Sequence, residues 1–368
     1  MSFVFESMTS KGHEEVVFCS DNNTGLKAII AIHNTTIGPA LGGCRMWSYN
    51  SEAEALQDVL RLSRGMSYKA AIAGLNLGGG KAVIIGDSKK NKNEILFRSF
   101  GRFVQGLAGR YITAEDVGTS VKDMEWVRME TEYVTGLSRA LGGGGDPGPV
   151  TALGTFSGIR ATVKKHLNRD SLAGLKVAVQ GVGHVGYHLT KHLTEAGAEV
   201  LVSDLDEKAL KLVANDFVVK VIEVDQIYDA EVDIYSPCAM GSTLNDQTIP
   251  KLKCSIVAGS ANNQLKDEIT HSQMLKNQDI LYAPDYAINS GGLINCANEI
   301  EGYNRKRAFQ QAEGIYDTLM NIYYRADSDN VTTHEAALKE AKKRINDISK
   351  LKNVYLPKKN LMGKRDSN

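Results

Sequence analysis

The chain has 368 residues, enough for two domains and too many for one small core. Its 43 basic and 43 acidic side chains cancel, so no net field recruits nucleic acid or an anionic membrane. Five scattered cysteines, Cys19, Cys44, Cys238, Cys254 and Cys296, include no Cys-x-x-Cys pair, which argues against a zinc or redox centre and for reduced thiols in a cytoplasm. The N-terminal stretch lacks a charged-then-apolar signal design, and no apolar run approaches the roughly 20 residues that span a bilayer, so a soluble cytoplasmic protein is expected.

The first strong pattern, "EAEALQDVLRLSRGMSY" (52–68), places Ala55, Val59, Leu62 and Met66 at helical spacing and predicts an amphipathic helix that delivers Lys69 at its end. Three glycines and Lys81 follow in "GLNLGGGKAVIIGD". A phosphate loop is excluded by spacing: counted back from Gly80-Lys81 the first required glycine falls on Leu75, and Ala82 replaces the metal-holding hydroxyl. "KAVIIGD" (81–87) reads as a short strand, with Lys81 where a glycine loop meets it. "YITAEDVGTS" (111–120) reads as a strand ending near Asp116, an acid whose commoner role at such a place is in a turn or cap.

"LGGGGDPGPV" (141–150) holds too many glycines and prolines for regular structure and predicts a hinge or linker. A helix pattern follows, and then a βαβ alternation: strand "KVAVQ" (176–180), a glycine turn, a helix to about Ala196 and strand "EVLVSD" (199–204). Further strands are expected at 219–222, 232–237, 255–260 and 280–285, a spacing that suits a parallel, doubly wound sheet. Helix formers dominate from about Ala297 to Leu351, and the tail from 352 to 368 is polar and basic.

Within the alternation, Gly181-x-Gly183-x-x-Gly186 follows a strand and opens a helix, and Asp204 closes the next strand. That context turns a weak motif into a dinucleotide fingerprint: Gly181 for the tight turn, Gly183 for close approach of the pyrophosphate, Gly186 for helix–strand packing. Val182, His184 and Val185 complete the turn. A carboxylate at Asp204, reinforced by Asp206, suits free ribose hydroxyls and repels a 2′-phosphate, so NAD is expected over NADP. His184, His188 and His192 recur every four residues, yet no acid or cysteine is placed to finish a metal site, and none is expected. Two lysines and an acid near a bound nicotinamide suit oxidation of an α-amino acid: one cation for the carboxylate, one base for water, one acid for the amine.

These motifs resemble, in one order over nearly the whole chain, the glutamate/leucine/phenylalanine/valine dehydrogenase superfamily, and most of all its leucine-specific branch. The resemblance runs through "GPALGGCRM" (38–46), "LRLSRGMSYKAA" (60–71), "GLNLGGGKAVI" (74–84), "TAEDVGT" (113–119), "GDPGPVTALG" (145–154), "VAVQGVGHVG" (177–186), "SPCAMG" (236–241), "AGSANNQL" (258–265) and "YAPDYAINSGGLIN" (282–295). It implies an α/β protein with an N-terminal substrate domain (1–136, completed by C-terminal helices at about 335–368) and a Rossmann-type NAD domain (137–334).

The resemblance also implies roles. Lys69 holds the substrate carboxylate with a Gly42-Gly43 turn, Met66 and an asparagine of the Asn262–Asn263 segment. Lys81 activates water, Asp116 shuttles protons at the amine, and Thr151, Cys238 and Ala239 approach the nicotinamide. The implied reaction is hydride transfer from Cα to NAD, attack of water on the iminium, and collapse to a 2-oxo acid and ammonia. The side-chain pocket falls on Leu41, Ala114, Thr135, Leu293 and Cys296, an uncharged set that disfavours glutamate. A methylene of pocket size discriminates by only about 1–3 kcal/mol, so an aromatic amino acid is the alternative to leucine, valine or isoleucine. A catalytically silent NAD or amino acid sensor is the alternative of another class. A homo-oligomer, most simply an octamer, is implied as well.

Overall fold

A computed structural model describes residues 3–351. The basic tail, and with it the end of the helical segment expected to close the first domain, lies outside the described residues. The chain forms a two-domain α/β fold. One compact unit comprises the residues through Asp146, Cys296–Asn304 and those from Ala341 on; the other comprises Pro147–Asn295 and Arg305–Glu340.

The first unit opens with α1 (Phe3–Lys11), β1 (Glu15–Asp21), β2 (Leu26–Asn34), β3 (Ala40–Trp47), α2 (Glu52–Ile72), β4 (Gly78–Ile85), α3 (Glu94–Gly106), β5 (Tyr111–Glu115) and α4 (Val121–Arg128). Its five-stranded sheet runs β1-β2-β4-β3-β5; β2 is antiparallel to both neighbours, and β3 is parallel to β4 and β5. Alternate residues of β2 face opposite layers, as strand periodicity demands. Ile30 and Ile32 join Phe97, Phe100, Met124 and Val127 under α3 and α4, while Ile29 and Ala31 join Ala55, Val59 and Leu60 under α2. Ser51 caps α2 by accepting a hydrogen bond from the Glu54 amide, and Glu52 and Lys69 sit at the helix ends that favour their charges.

Two sequence expectations are corrected here. Gly78, Gly79 and Gly80 form no loop ahead of a strand; they are the first residues of β4, paired to β2 through Ile32 and to β3 through Leu41. A Cβ on Gly79 would lie 2.1 Å from the Ser67 amide nitrogen of α2, so glycine permits helix and strand to touch. Gly42 and Gly43 likewise belong to β3 and make no turn; a Cβ on Gly42 would lie 1.8 Å from the Gly80 carbonyl oxygen.

The second unit contains α5 (Gly148–Leu167), β6 (Lys176–Gln180), α6 (His184–Glu195), β7 (Glu199–Ser203), α7 (Glu207–Asp216), β8 (Val219–Val221), β9 (Ile234–Pro237), β10 (Ile256–Val257), α8 (Glu268–Asn277), β11 (Leu281–Tyr282) and α9 (Asp285–Ile288). Then come α10 (Gly291–Ile300), α11 (Arg305–Glu313), α12 (Ile315–Asp329) and α13 (Thr333–Ser349). All strands are parallel in the order β11-β10-β9-β6-β7-β8, so the chain reverses direction of travel across the sheet beside β6. Ligands of such sheets bind at that switch point, outside the carboxyl ends of the strands. Pro149 lies in the first turn of α5, so the glycine- and proline-rich stretch passes into helix earlier than its composition suggests.

The units divide the chain differently from a cut at 136 and 334. Residues 137–146 and Cys296–Asn304 pack with the first unit, and the return begins at Ala341. Glu299 accounts for much of this: its buried carboxylate accepts hydrogen bonds from the amides of Gly136 (3.0 Å), Leu137 (3.3 Å) and Gly144 (2.8 Å). Arg344 supplies a second tie, donating to the carbonyls of Ala71 and Gly74. Among the described residues no helix is long and apolar enough to cross a membrane.

Candidate active site

In the first unit, three parallel strands bring the chemical groups together. Lys81 leaves β4 on the sheet interior with 6% of its side chain exposed, and its Nζ donates to Asp116 Oδ1 at 3.0 Å. Asp116 follows β5 directly, as the sequence suggested. The turn that holds it is closed by Thr119, whose Oγ1 accepts from the Asp116 amide at 2.8 Å. A Cβ on Gly43 would lie 2.9 Å from Asp116 Cβ, so the glycine of β3 lets the acid lean over the sheet. Burial pushes the Asp116 carboxyl up, but the Lys81 ammonium and the Arg45 guanidinium together outweigh it and hold the carboxyl below its ordinary range.

Lys69 stands half-buried in the last turn of α2. Met66, one turn earlier, points at β3, where a Cβ on Gly42 would meet its Cγ at 3.4 Å. The uncharged side-chain positions collect nearby. Leu41 pairs with Ile112 across β3 and β5, Ala114 pairs with Gly43, and the Thr135 amide donates to the Thr113 carbonyl at 2.8 Å. Cys296, on α10, has its thiol pushed up to about 12 by burial, with the Glu299 and Glu115 carboxylates adding, and the Thr135 hydroxyl and the Lys69 charge opposing. Four of the five positions expected to line a side-chain pocket lie in this unit; Leu293 is buried in the other.

The second unit holds the fingerprint in the strand–turn–helix context it requires. Gly181 adopts φ +96°, and a Cβ there would lie 2.6 Å from that of Ala239; one on Gly186 would lie 2.0 Å from the Gly181 carbonyl oxygen. Gly183, the first-turn cap of α6, is different: a Cβ there would meet nothing within 4 Å. The turn leaves open space at the helix N-terminus, where amides and dipole favour an anion. His184 is exposed and Val185 half-buried at that end. Asp204 follows β7 and folds back, its Oδ2 accepting from the Val182 amide at 2.7 Å and its Oδ1 from the Asp206 amide at 2.9 Å.

Thr151 lies buried in the first turn of α5, donating to the Pro147 carbonyl at 2.9 Å. The Cys238 amide donates to Gln180 at the end of β6 (2.7 Å), which sets Cys238 and Ala239 beside the glycine turn. Asn262 and Asn263 occupy an exposed loop, Asn263 at φ +51°. His188 meets Tyr187 edge-on and His192 stacks on Phe156, so these two histidines of α6 have aromatic neighbours.

Sequence reading missed three residues that hold these groups in place. Arg45 donates from Nε to Asp116 Oδ2 at 3.1 Å; its alternation with Gly43 on β3, beside the strand carrying the acid, was the available signal. Glu299 ties the loop after Thr135 to the helix carrying Cys296. Asn289 donates to Asn262 Oδ1 (2.7 Å) and to the carbonyls of Ser260 and Ala261, fixing the asparagine loop. For Glu299 no sequence signal exists, because its partners lie more than 150 positions away, whereas Asn289 lies within the 282–295 motif.

Comparison with known proteins identifies the family and the fold. The dimerisation-domain model of the Glu/Leu/Phe/Val dehydrogenases matches residues 13–133, and the companion Glutamate/Leucine/Phenylalanine/Valine dehydrogenase model matches 142–208 and 203–356. Leucine dehydrogenase of Thermoactinomyces intermedius is 53% identical over 96% of both chains. L-tryptophan dehydrogenase of Nostoc punctiforme is 49% identical over 95% of this chain and 98% of its own. The crystal structure of L-tryptophan dehydrogenase from Nostoc punctiforme superposes with a TM-score of 0.84 at 47% identity, covering 94% of this chain and 99% of the other. A lysine–aspartate pair on one α/β unit, a dinucleotide fingerprint on a parallel sheet and matches along nearly the entire sequence make one case: the chain belongs to the glutamate/leucine/phenylalanine/valine dehydrogenase family and is an amino acid dehydrogenase.

Proposed function

We propose that the protein carries out NAD-dependent, reversible oxidative deamination of a branched-chain L-amino acid, leucine foremost, to the 2-oxo acid and ammonia. The observation that carries the reading is the Lys81–Asp116 pair at 3.0 Å, a buried lysine and a half-buried acid, base and proton shuttle already in contact. The open space at Gly183 fits a dinucleotide, whose pyrophosphate would rest on the amides of Gly181 to Gly186 and whose ribose hydroxyls would donate to Asp204. Thr151, Cys238 and Ala239 would flank its nicotinamide, which when bound supplies the acceptor for the hydride of Cα.

The chain's own residues do the rest. Lys69 and the amides of Gly42 and Gly43 hold the carboxylate and so orient Cα. Asp116 takes a proton from the substrate ammonium and later returns it to the departing amine. Lys81 enters the hydration step as the free amine: its Nζ takes the proton of the water that attacks the iminium carbon, and the ammonium so formed stabilises the oxygen of the carbinolamine. Leu41, Ala114, Thr135 and Cys296 offer no cation to a second carboxylate, which disfavours glutamate.

A second reading, the same reaction on an aromatic amino acid, is favoured by the near-equal likeness to the L-tryptophan dehydrogenase of Nostoc punctiforme and, at 47% identity, to a phenylalanine dehydrogenase of Bacillus thermotolerans. The match to a dimerisation domain supports a homo-oligomer, and the octamer and the cytoplasmic location belong to the same reading. The test is NADH formation from NAD at alkaline pH with leucine, valine, isoleucine, phenylalanine, tryptophan and glutamate. Fastest turnover of leucine or its branched relatives is expected. Fastest turnover of phenylalanine or tryptophan transfers the protein to the second reading, and glutamate as the best substrate sinks both.

A further inference from the structure

Asp116 presents its two oxygens to two different cations. Oδ1 accepts from Lys81 Nζ at 3.0 Å and Oδ2 from Arg45 Nε at 3.1 Å. Arg45 is itself held from behind. Its Nη1 donates to Asp58 Oδ2 at 2.9 Å, the Tyr49 hydroxyl donates to the same oxygen at 2.8 Å, and Arg61 donates to Asp58 Oδ1 at 3.0 Å. The side chains of Arg45 and Asp58 are 20% and 15% exposed, so this row of alternating charges runs inward from Arg61 at the surface. A guanidinium keeps its proton at any working pH, so an oxygen it engages gains no proton from that side, whereas an ammonium can exchange one.

We infer that Arg45, anchored by Asp58 and Tyr49, is a positioning residue that occupies Oδ2 of Asp116 and leaves Oδ1, beside Lys81, as the oxygen that exchanges protons with the substrate amine. This rests on the dehydrogenase reading of the Lys81–Asp116 pair. The other titratable groups around the acid do not compete for the role. Cys44 of β3 and Tyr111 of β5 are fully buried and pushed well above their ordinary values by burial. Asp123 of α4 is engaged by Lys92.

The experiment is the pH profile of kcat/KM for the amino acid in the full chain, with Arg45→Gln, Arg45→Lys and Asp58→Asn beside the parent. Removing a cation next to a coupled pair raises the apparent value on the acid limb, which belongs to the pair; Arg45→Gln should move it up by about one pH unit. Arg45→Lys keeps the charge and loses the planar fork, so the limb should stay in place while kcat falls about 10-fold and KM holds. Asp58→Asn should lower kcat without raising the limb. A merely structural role would reduce active protein equally at every pH. An unmoved limb in Arg45→Gln, or an equal movement in Arg45→Lys, overturns the inference; so does full kcat in Arg45→Lys, which decides the matter even where Arg45→Gln fails to fold. Turnover retained in both Lys81→Ala and Asp116→Ala would instead sink the underlying site reading, whatever the Arg45 variants do.

Discussion

The two units use glycine for opposite ends. In the first, the space a side chain would take at Gly42, Gly43, Gly79 and Gly80 is already filled by protein: a backbone carbonyl, the acid, a helix amide and the Tyr111 ring. In the second, Gly183 faces nothing within 4 Å, although Gly181 and Gly186 on either side are tightly enclosed. Glycine in the strands brings ionic groups of the chain close to one another, and glycine in the turn leaves space open, which on the proposed function a dinucleotide fills. The sequence motif of each looks alike; only the register of strands and turn separates them.

The sharpest way to part the two regions is Lys81→Ala. Amino acid turnover should fall about 10³-fold, or about 4 kcal/mol, while NADH still quenches protein fluorescence with unchanged affinity. Weakened NADH binding in that variant would mean the two regions are not separable. Next comes Gly42→Ala, where the added carbon would run into the Gly80 carbonyl of the neighbouring strand; we expect a loss of about 3 kcal/mol or more in denaturant unfolding.

A pH effect confined to the first unit should be smaller. His13 and His33 meet edge-on at 4.9 Å between the sheet and α2, bonded to Ser63 and Ser67. Burial lowers both from 6.5 to about 4, with the mutual repulsion of the pair adding for His13 and the Arg64 charge for His33, against a backbone bond that raises each. Between those values the unfolded chain takes up protons the folded one refuses. Stability is therefore full above pH 6.5 and falls through the window to 4; the ~3 kcal/mol per histidine that such a shift represents, discounted for solvent screening and the coupling of the two rings, leaves ~2 kcal/mol for the pair. Melting curves across that range should show it, and the double variant His13→Gln/His33→Gln should flatten it. The smallest effect is Gly183→Ala: stability should stay within about 1 kcal/mol, while the KM for NAD rises about 10-fold. An unchanged KM would show that the open space is not where the dinucleotide lies.

How much of this was legible in the chain depended on distance. The helix ending near Lys69, the strand before Asp116 and the whole βαβ alternation follow from periodicity and punctuation within about a dozen residues, and the structure places them within a few residues of expectation. The helix face was read less well. Ala55 and Val59 are buried, but Leu62 and Met66 are only half-buried, while Ser63 and Ser67 lie in the core because histidines of β2 and the preceding loop satisfy their hydroxyls. A glycine triplet reads locally as a loop, and nothing nearby announces that β2 and β3 will flank it. The return of Cys296–Asn304 to the first unit, driven by Glu299, links residues more than 150 positions apart and leaves no periodic trace.

The glycine-locked strands have an evolutionary consequence. Where Gly42, Gly43 and Gly79 meet backbone, a side chain has no room unless a strand or helix shifts, so Lys81 and Asp116 ride on strands with little freedom to drift. The side chains of Leu41 and Cys296 are set by packing, which tolerates exchanges of similar volume, and the Thr135 hydroxyl adds one bond to the Thr113 carbonyl. On the proposed function, such a molecule can change its diet by single substitutions while its chemistry stands still, and lineages founded on it should diverge in substrate long before they diverge in mechanism.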